Sequence, residues 1–166
     1  YSTTNFSNWG YFANTTFLIM MLLGGCSCST TGGFKIFRIQ VLWALVIKEL
    51  KTIKSPRAIS NINLKNININ ENVINSVMII FFCFIFSIFL IASVFVYYGY
   101  DFITSISAAI TSVSVVGPGL GNIIGPEESF AALPGGLKLL LLFGMVLGRL
   151  EYLAFLIILA PKFWVK

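Results

Sequence analysis

From Val73 to Tyr98 the chain reads "VINSVMIIFFCFIFSIFLIASVFVYY", without one charged residue. Coiled as a helix at about 1.5 Å per residue, this run exceeds the roughly 30 Å hydrocarbon core of a bilayer. A helix apolar on every face has no side to offer water. The rest of the chain agrees: 57% of its 166 residues are hydrophobic and 10% are charged, where soluble domains carry about 25% charged residues. These numbers predict an all-α integral membrane protein whose chemical partner is the lipid bilayer. The chain begins at Tyr1 and shows no basic segment followed by a short apolar core, which predicts a fragment or truncated chain without a signal peptide. Histidine is absent, which removes the commonest general base and the commonest metal ligand. Cys26, Cys28 and Cys83 have neither metal-site nor redox spacing and read as small packing residues.

Three further apolar stretches accompany the long one. Phe12 to Leu23 is too short to span, Phe34 to Ile47 opens with Lys35 and Arg38, and Leu137 to Leu159 is long enough apart from one charged interruption. A moderately apolar segment, Asp101 to Val116, is again too short to cross. Two glycine-rich breaks, "LGGCSCSTTGG" and "SVVGPGLGN", each follow a short segment and precede another helix. The order helix, half-helix, break, helix therefore occurs at residues 73–160, and at 9–50 without its first helix, an internal repeat.

Charge sets the orientation. Lys48, Lys51, Lys54, Arg57 and Lys65 crowd the segment between the copies, and Lys162 and Lys166 follow the last helix. The loop from Gly119 to Gly136 has no Lys or Arg. The positive-inside rule places the linker and the C-terminus in the cytoplasm. Both ends of the second copy then share a side, which two full spans and one re-entrant half-helix satisfy. The linker, with Asn and Ile alternating from Asn61 to Asn70, reads as a solvated loop.

Backbone that is not helical is tolerated at membrane depth only where protein buries it or where it lines a watery path. A short helix that enters and a glycine-rich strand that returns can form an ion selectivity filter, in which carbonyl oxygens replace the hydration shell of a cation. Glycine adopts the backbone angles that let successive carbonyls point one way, and the C-terminal end of a half-helix is attractive to a cation. Neither break contains an acidic side chain, which favours a monovalent ion such as K⁺.

The segments "WGYFANTTFLIMMLLGGCSCSTTGGFKIFRIQVL", "KELKTIKSPRAI", "GYDFITSISAAITSVSVVGPGLGNI" and "LLLLFGMVLGRLEYLAFLIILAPKFW" resemble the third pore repeat, the following linker, the fourth pore helix with its filter, and the last helix of the TrkH family of bacterial potassium uptake proteins. The resemblance covers almost the whole chain and corresponds to the C-terminal third of a member. It implies helix–pore-helix–filter–helix repeats around a pseudo-fourfold pore, with a partial third repeat at 1–50, a cytoplasmic linker at 51–72 and a fourth repeat at 73–166. Carried over, the K⁺-binding filter residues are Leu23, Gly24, Gly25 and Cys26, with Gly24 or Gly25 as the key glycine, and Val115, Val116 and Gly117, with Pro118 and Gly119 ending the strand. The resemblance also implies a homodimer in the bacterial inner membrane, a cytoplasmic nucleotide-binding regulatory subunit of the TrkA type, and K⁺ uptake, by symport or channel-like. No cofactor beyond the transported K⁺ and no nucleic acid is implied. Departures from the family pattern are Cys28 for a small residue, Val115 and Val116 in a stretch often containing Asn, and Ser55 before Pro56 where His is frequent.

Arg149 lies near the middle of the last apolar stretch, where a charge costs about 3 kcal/mol on insertion scales. It must face a partner or the pore, and the matching family residue lies on the ion path, which assigns it to gating. Lys35 and Arg38 read as facing a loop or the protein interior, and Asp101 as a helix cap. The competing reading is a non-conducting fragment or decayed remnant with an assembly role. An enzyme is excluded by the lack of histidine, of paired carboxylates and of a nucleophile–base pair.

Overall fold

The computed structural model describes residues 9–26, 29, 32–54, 63–64, 67–68, 70–121, 123–125, 128–150 and 152–159. Cys28, Ser55, Arg57, Lys65, Glu127, Glu151, Lys162 and Lys166 lie outside them. The chain is mostly helical: α1 (Tyr11–Leu22), α2 (Ile36–Lys54), α3 (Glu71–Tyr97), α4 (Phe102–Ser114), α5 (Gly135–Leu150) and α6 (Tyr152–Leu159). Strands β1 (Asn63–Leu64) and β2 (Ile67–Asn68) pair antiparallel between α2 and α3, Asn63 opposite Asn68. This departs from the all-α expectation. The Asn/Ile alternation that read as a loop has the period of two that suits a strand. α2 continues to Lys54, four residues into the segment read as linker, and its last turn carries Lys51 and Lys54, where cations suit the helix dipole.

α3 is the one helix, among the described residues, long and apolar enough to cross a membrane. Ile74, Val77, Ile80, Phe84, Ile91 and Phe95 face the protein. Phe82, Phe86 and Phe89 face outward and are 63%, 65% and 72% exposed. Two faces that are both apolar, one packed and one bare, are what lipid solvation permits and water punishes. α3 ends in a Schellman motif: Gly99 takes a φ of +86°, its N–H donates to Val96, and the Tyr100 N–H donates to Phe95. The Tyr100 and Phe95 rings then meet at 5.6 Å, the apolar contact that usually accompanies the motif.

The short helix α4 sits at the centre, packed by α1, α3 and α5, while α2 lies along α3. Ten of its thirteen residues, from Thr104 to Ser114, are buried. A buried helix this rich in hydroxyls must satisfy them internally. Ser105 donates to Asp101, Ser107 to Thr104 and Leu120, Thr111 to Ala108, and Ser112 to the Leu141 carbonyl of α5. Asp101 occupies the cap position, but its side chain makes no cap hydrogen bond. Its backbone carbonyl serves instead, accepting from Ser105 at 2.8 Å, which corrects the expected side-chain cap.

Gly99→Ala is expected to lower thermal stability by about 1–2 kcal/mol, the cost of a left-handed residue with a Cβ. Gly135→Ala, where an added Cβ meets nothing within 4 Å, should change it little. Detergent-solubilised melting curves compare the two.

Candidate functional site

The first break runs out from α1 and folds back on itself. Leu23 and Phe34 form a parallel bridge, the Gly24 N–H donates to Phe34 at 2.9 Å, and Phe34 returns a bond to Leu22. A Cβ on Gly24 would lie 2.8 Å from the Gly32 carbonyl oxygen, so only glycine lets the two limbs approach. Phe34 plugs the returning limb into α3, its ring 5.6 Å from that of Phe81 and 5.7 Å from that of Phe84.

The second break starts where α4 ends. The Val116 N–H donates to Thr111 and the Val115 N–H to Ser112, again a Schellman closure. Here the left-handed position is held by Val115 at φ +54°, the only non-glycine with positive φ among the described residues. A β-branched residue in this region is strained by about 1–3 kcal/mol. Beyond it the chain runs exposed through Val116, Gly117 and Pro118. Among the described residues no donor reaches the carbonyls of Val115, Val116, Gly117 or Pro118. Gly117 takes φ +107° with open space around it. Gly119 turns the chain back, its N–H donating to Ile124 at 2.9 Å. Leu120, fully buried, is pinned through both its N–H and its C=O to the Ser107 hydroxyl.

The two breaks meet. A Cβ on Gly32 would strike the Ser114 carbonyl oxygen and lie 2.8 Å from its carbon and 3.0 Å from Val115 Cβ. On the other side of the same helix end, a Cβ on Gly148 would strike the Val113 carbonyl oxygen, and one on Gly144 the Ser112 hydroxyl. The last turn of α4 is therefore held between Gly32 of the first break and the Gly144–Gly148 face of α5. Where the junction opens, a cavity of about 250 Å³ is lined by both breaks' neighbours, among them Gly32, Gly33, Val113, Lys35, Arg38, Arg149 and Tyr152. Tyr152 is fixed there by a 2.7 Å hydrogen bond with Ser87 of α3.

Not every residue expected at the site is placed alike. Val115, Val116, Gly117 and Pro118 form one exposed strand whose carbonyls are unengaged among the described residues, and Gly119 ends it. In the first break the carbonyls of Leu23 and Gly24 accept nothing among the described residues. Those of Gly25 and Cys26 already accept from Ile36 and Ser29. Arg149 stands in the last turn of α5, exposed, on the cavity wall. Lys35 and Arg38, read from the sequence as facing a loop or the interior, share that wall with it. Gly32, Gly144 and Gly148 were not singled out, although the four-residue spacing of the last two is the small-residue signal of close helix approach.

Ser114 has a buried hydroxyl with no hydrogen-bond partner among the described residues, at a cost of about 1–3 kcal/mol. Ser114→Ala is accordingly expected to leave stability unchanged or raise it. Gly148→Val should lower it by more than about 2 kcal/mol, since overpacking against backbone leaves no room for relaxation. Paired thermal melts test both.

The model of the TrkH family, described as cation transport protein, matches residues 1–166. The Trk system potassium uptake protein TrkI of Halomonas elongata is 38% identical over 164 residues, 99% of this chain and 33% of that protein. The Trk system potassium uptake protein TrkH of Vibrio parahaemolyticus is 31% identical over 166 residues, 99% of this chain and 33% of that protein. The crystal structure of the potassium transporter TrkH from Vibrio parahaemolyticus superimposes with a TM-score of 0.85 at 30% identity, covering 99% of this chain and 34% of that one. The chain thus spans about one third of the length of the curated relatives it matches.

Proposed function

The chain belongs to the TrkH family of cation transport proteins, and from that premise we propose that it supplies two of the strands of a backbone-carbonyl filter for potassium uptake across the bacterial inner membrane. It acts as pore-forming chain rather than enzyme, with K⁺ as cargo and no cofactor. The observation that carries the proposal is the strand Val115 to Pro118. It leaves the C-terminal end of a buried half-helix, is exposed, and carries carbonyls that nothing among the described residues engages. Unbonded carbonyls at membrane depth cost free energy unless an ion or water meets them, and a dehydrated K⁺ is a fitting complement.

In this reading residues 1–50 belong to a third pore repeat, 51–72 to a cytoplasmic linker and 73–166 to a fourth repeat. α1 and α4 are pore helices, and the repeats surround a pseudo-fourfold pore. Val115, Val116 and Gly117 bind K⁺ in one strand, supported by Pro118 and Gly119. Leu23 and Gly24 are the readier ligands of the other, since Gly25 and Cys26 spend a lone pair within the loop. Arg149 is a gating residue that raises the barrier beneath the filter. The C-terminus is cytoplasmic, and the working assembly is a homodimer with a nucleotide-binding regulatory subunit of the TrkA type.

The test is ⁸⁶Rb⁺ uptake in a K⁺-auxotrophic cell by the protein expressed from its own gene. Gly117→Ser should abolish uptake at unchanged membrane abundance, because φ +107° is closed to a residue with a Cβ. Arg149→Ala should raise flux or loosen its control. Normal insertion without any Rb⁺ uptake in the wild type would favour the non-conducting reading.

A further inference from the structure

The cavity at the junction of the breaks carries more positive charge than gating by Arg149 requires. Lys35 and Arg38 reach its wall from the first copy, and Arg149 from the second. The two groups come from elements more than a hundred residues apart, brought together by the docking of Gly32 on Ser114. Phe34, buried between Phe81 and Phe84, fixes the chain directly before Lys35. Lys35, Arg38 and Arg149 each interact with another residue.

Local energetics argue against that placement. The Lys35 carbonyl accepts from the N–H groups of Arg38 and Ile39, which puts Lys35 at the cap of α2 and Arg38 in its first turn. This is the positive end of the helix dipole, where cations are unfavourable. No acidic residue offsets them in that turn. Charges at membrane depth are costly in themselves. A pair of cationic residues kept against both costs, lining one cavity with a third, marks a site where function outweighs local stability.

We propose that Lys35 and Arg38 are permeation-control residues, forming with Arg149 a single electropositive chamber that opposes cation passage beside the filter. The inference rests on the transport reading and extends it: the barrier is built from both repeats, not from the last helix alone. A unit charge about 10 Å from the ion path, across an effective dielectric of about 20, acts with an energy above thermal. Neutralising either residue should therefore change flux about threefold or more.

The experiment is single-channel or ⁸⁶Rb⁺ flux measurement on the wild-type protein expressed from its own gene and on Lys35→Gln, Arg38→Gln, Lys35→Arg and Arg38→Lys, at matched membrane abundance. The Gln variants are expected to raise flux and reduce rectification, and the charge-conserving variants to restore wild-type behaviour. Flux that is unchanged or lowered in both Gln variants overturns the proposal. A second measurement needs no change at 35 or 38. In Arg149→Ala, raising ionic strength with N-methylglucamine chloride at fixed K⁺ should still increase conductance, because screening weakens the remaining field. A flat response there overturns the proposal too. If Gly117→Ser and Arg149→Ala both leave uptake intact, the transport reading itself fails. A response at 149 with none at 35 and 38 sinks the shared chamber alone.

Discussion

The last turn of α4 is where the fold is decided. A helix leaves its final carbonyls without partners, and this helix ends deep inside an apolar protein. Two of those carbonyls, Thr111 and Ser112, are closed by the cap. The next two, Val113 and Ser114, lie against Gly148 of α5 and Gly32 of the first break. At either glycine a side chain would strike backbone, which cannot swing aside as a flexible side chain can. The Ser112 hydroxyl adds a bond to the Leu141 carbonyl, two turns from Gly148 on the same face of α5. The angle of α5, the depth of the first break and the mouth of the cavity all follow from how closely these backbones approach.

The chain closes a helix in the same way twice and chooses different residues. At Gly99 the left-handed position is filled by the residue that takes it without strain. At Val115 it is filled by a β-branched residue that resists it. Gly99 serves an ordinary turn. Val115 begins the strand whose carbonyls accept nothing among the described residues. Its Cβ restricts φ and ψ as a glycine would not, and it also packs against Gly32. A strained but stiff residue keeps the first carbonyl of the proposed filter from wandering, and the surrounding packing of α4 supplies the stability that holds it.

What the sequence made legible is what hydrophobic length and glycine can encode. The span at Val73–Tyr98 is α3 to within two residues at its start and one at its end, and the two short segments are α1 and α4. The breaks are glycine-dependent, as expected. The composition of the breaks did not reveal that they touch, because a glycine advertises tolerance of close approach without naming its neighbour. Nor did the run at Phe34 show where Lys35 and Arg38 would point, since their direction depends on Phe34 seating on α3. Asp101 had the right identity for a cap, but its side chain makes no cap hydrogen bond. The strand pair at 63–68 was visible as alternation, but the polar composition outweighed it.

The position of Gly148 joins the seat of α4 to the cavity wall. Its Cα face carries the end of α4, and the next residue is Arg149 on the cavity wall. One turn further along, Tyr152 is tied to Ser87, so α3 restrains the same segment from the other side. A sliding of α5 would therefore move the Val113 carbonyl seat and the Arg149 charge together. Packed interfaces of this kind have discrete arrangements rather than continuous ones. In the proposed reading a gate built here needs no separate linkage to the strand at Val115, because the glycine that seats the end of α4 and the arginine on the cavity wall are adjacent in the chain.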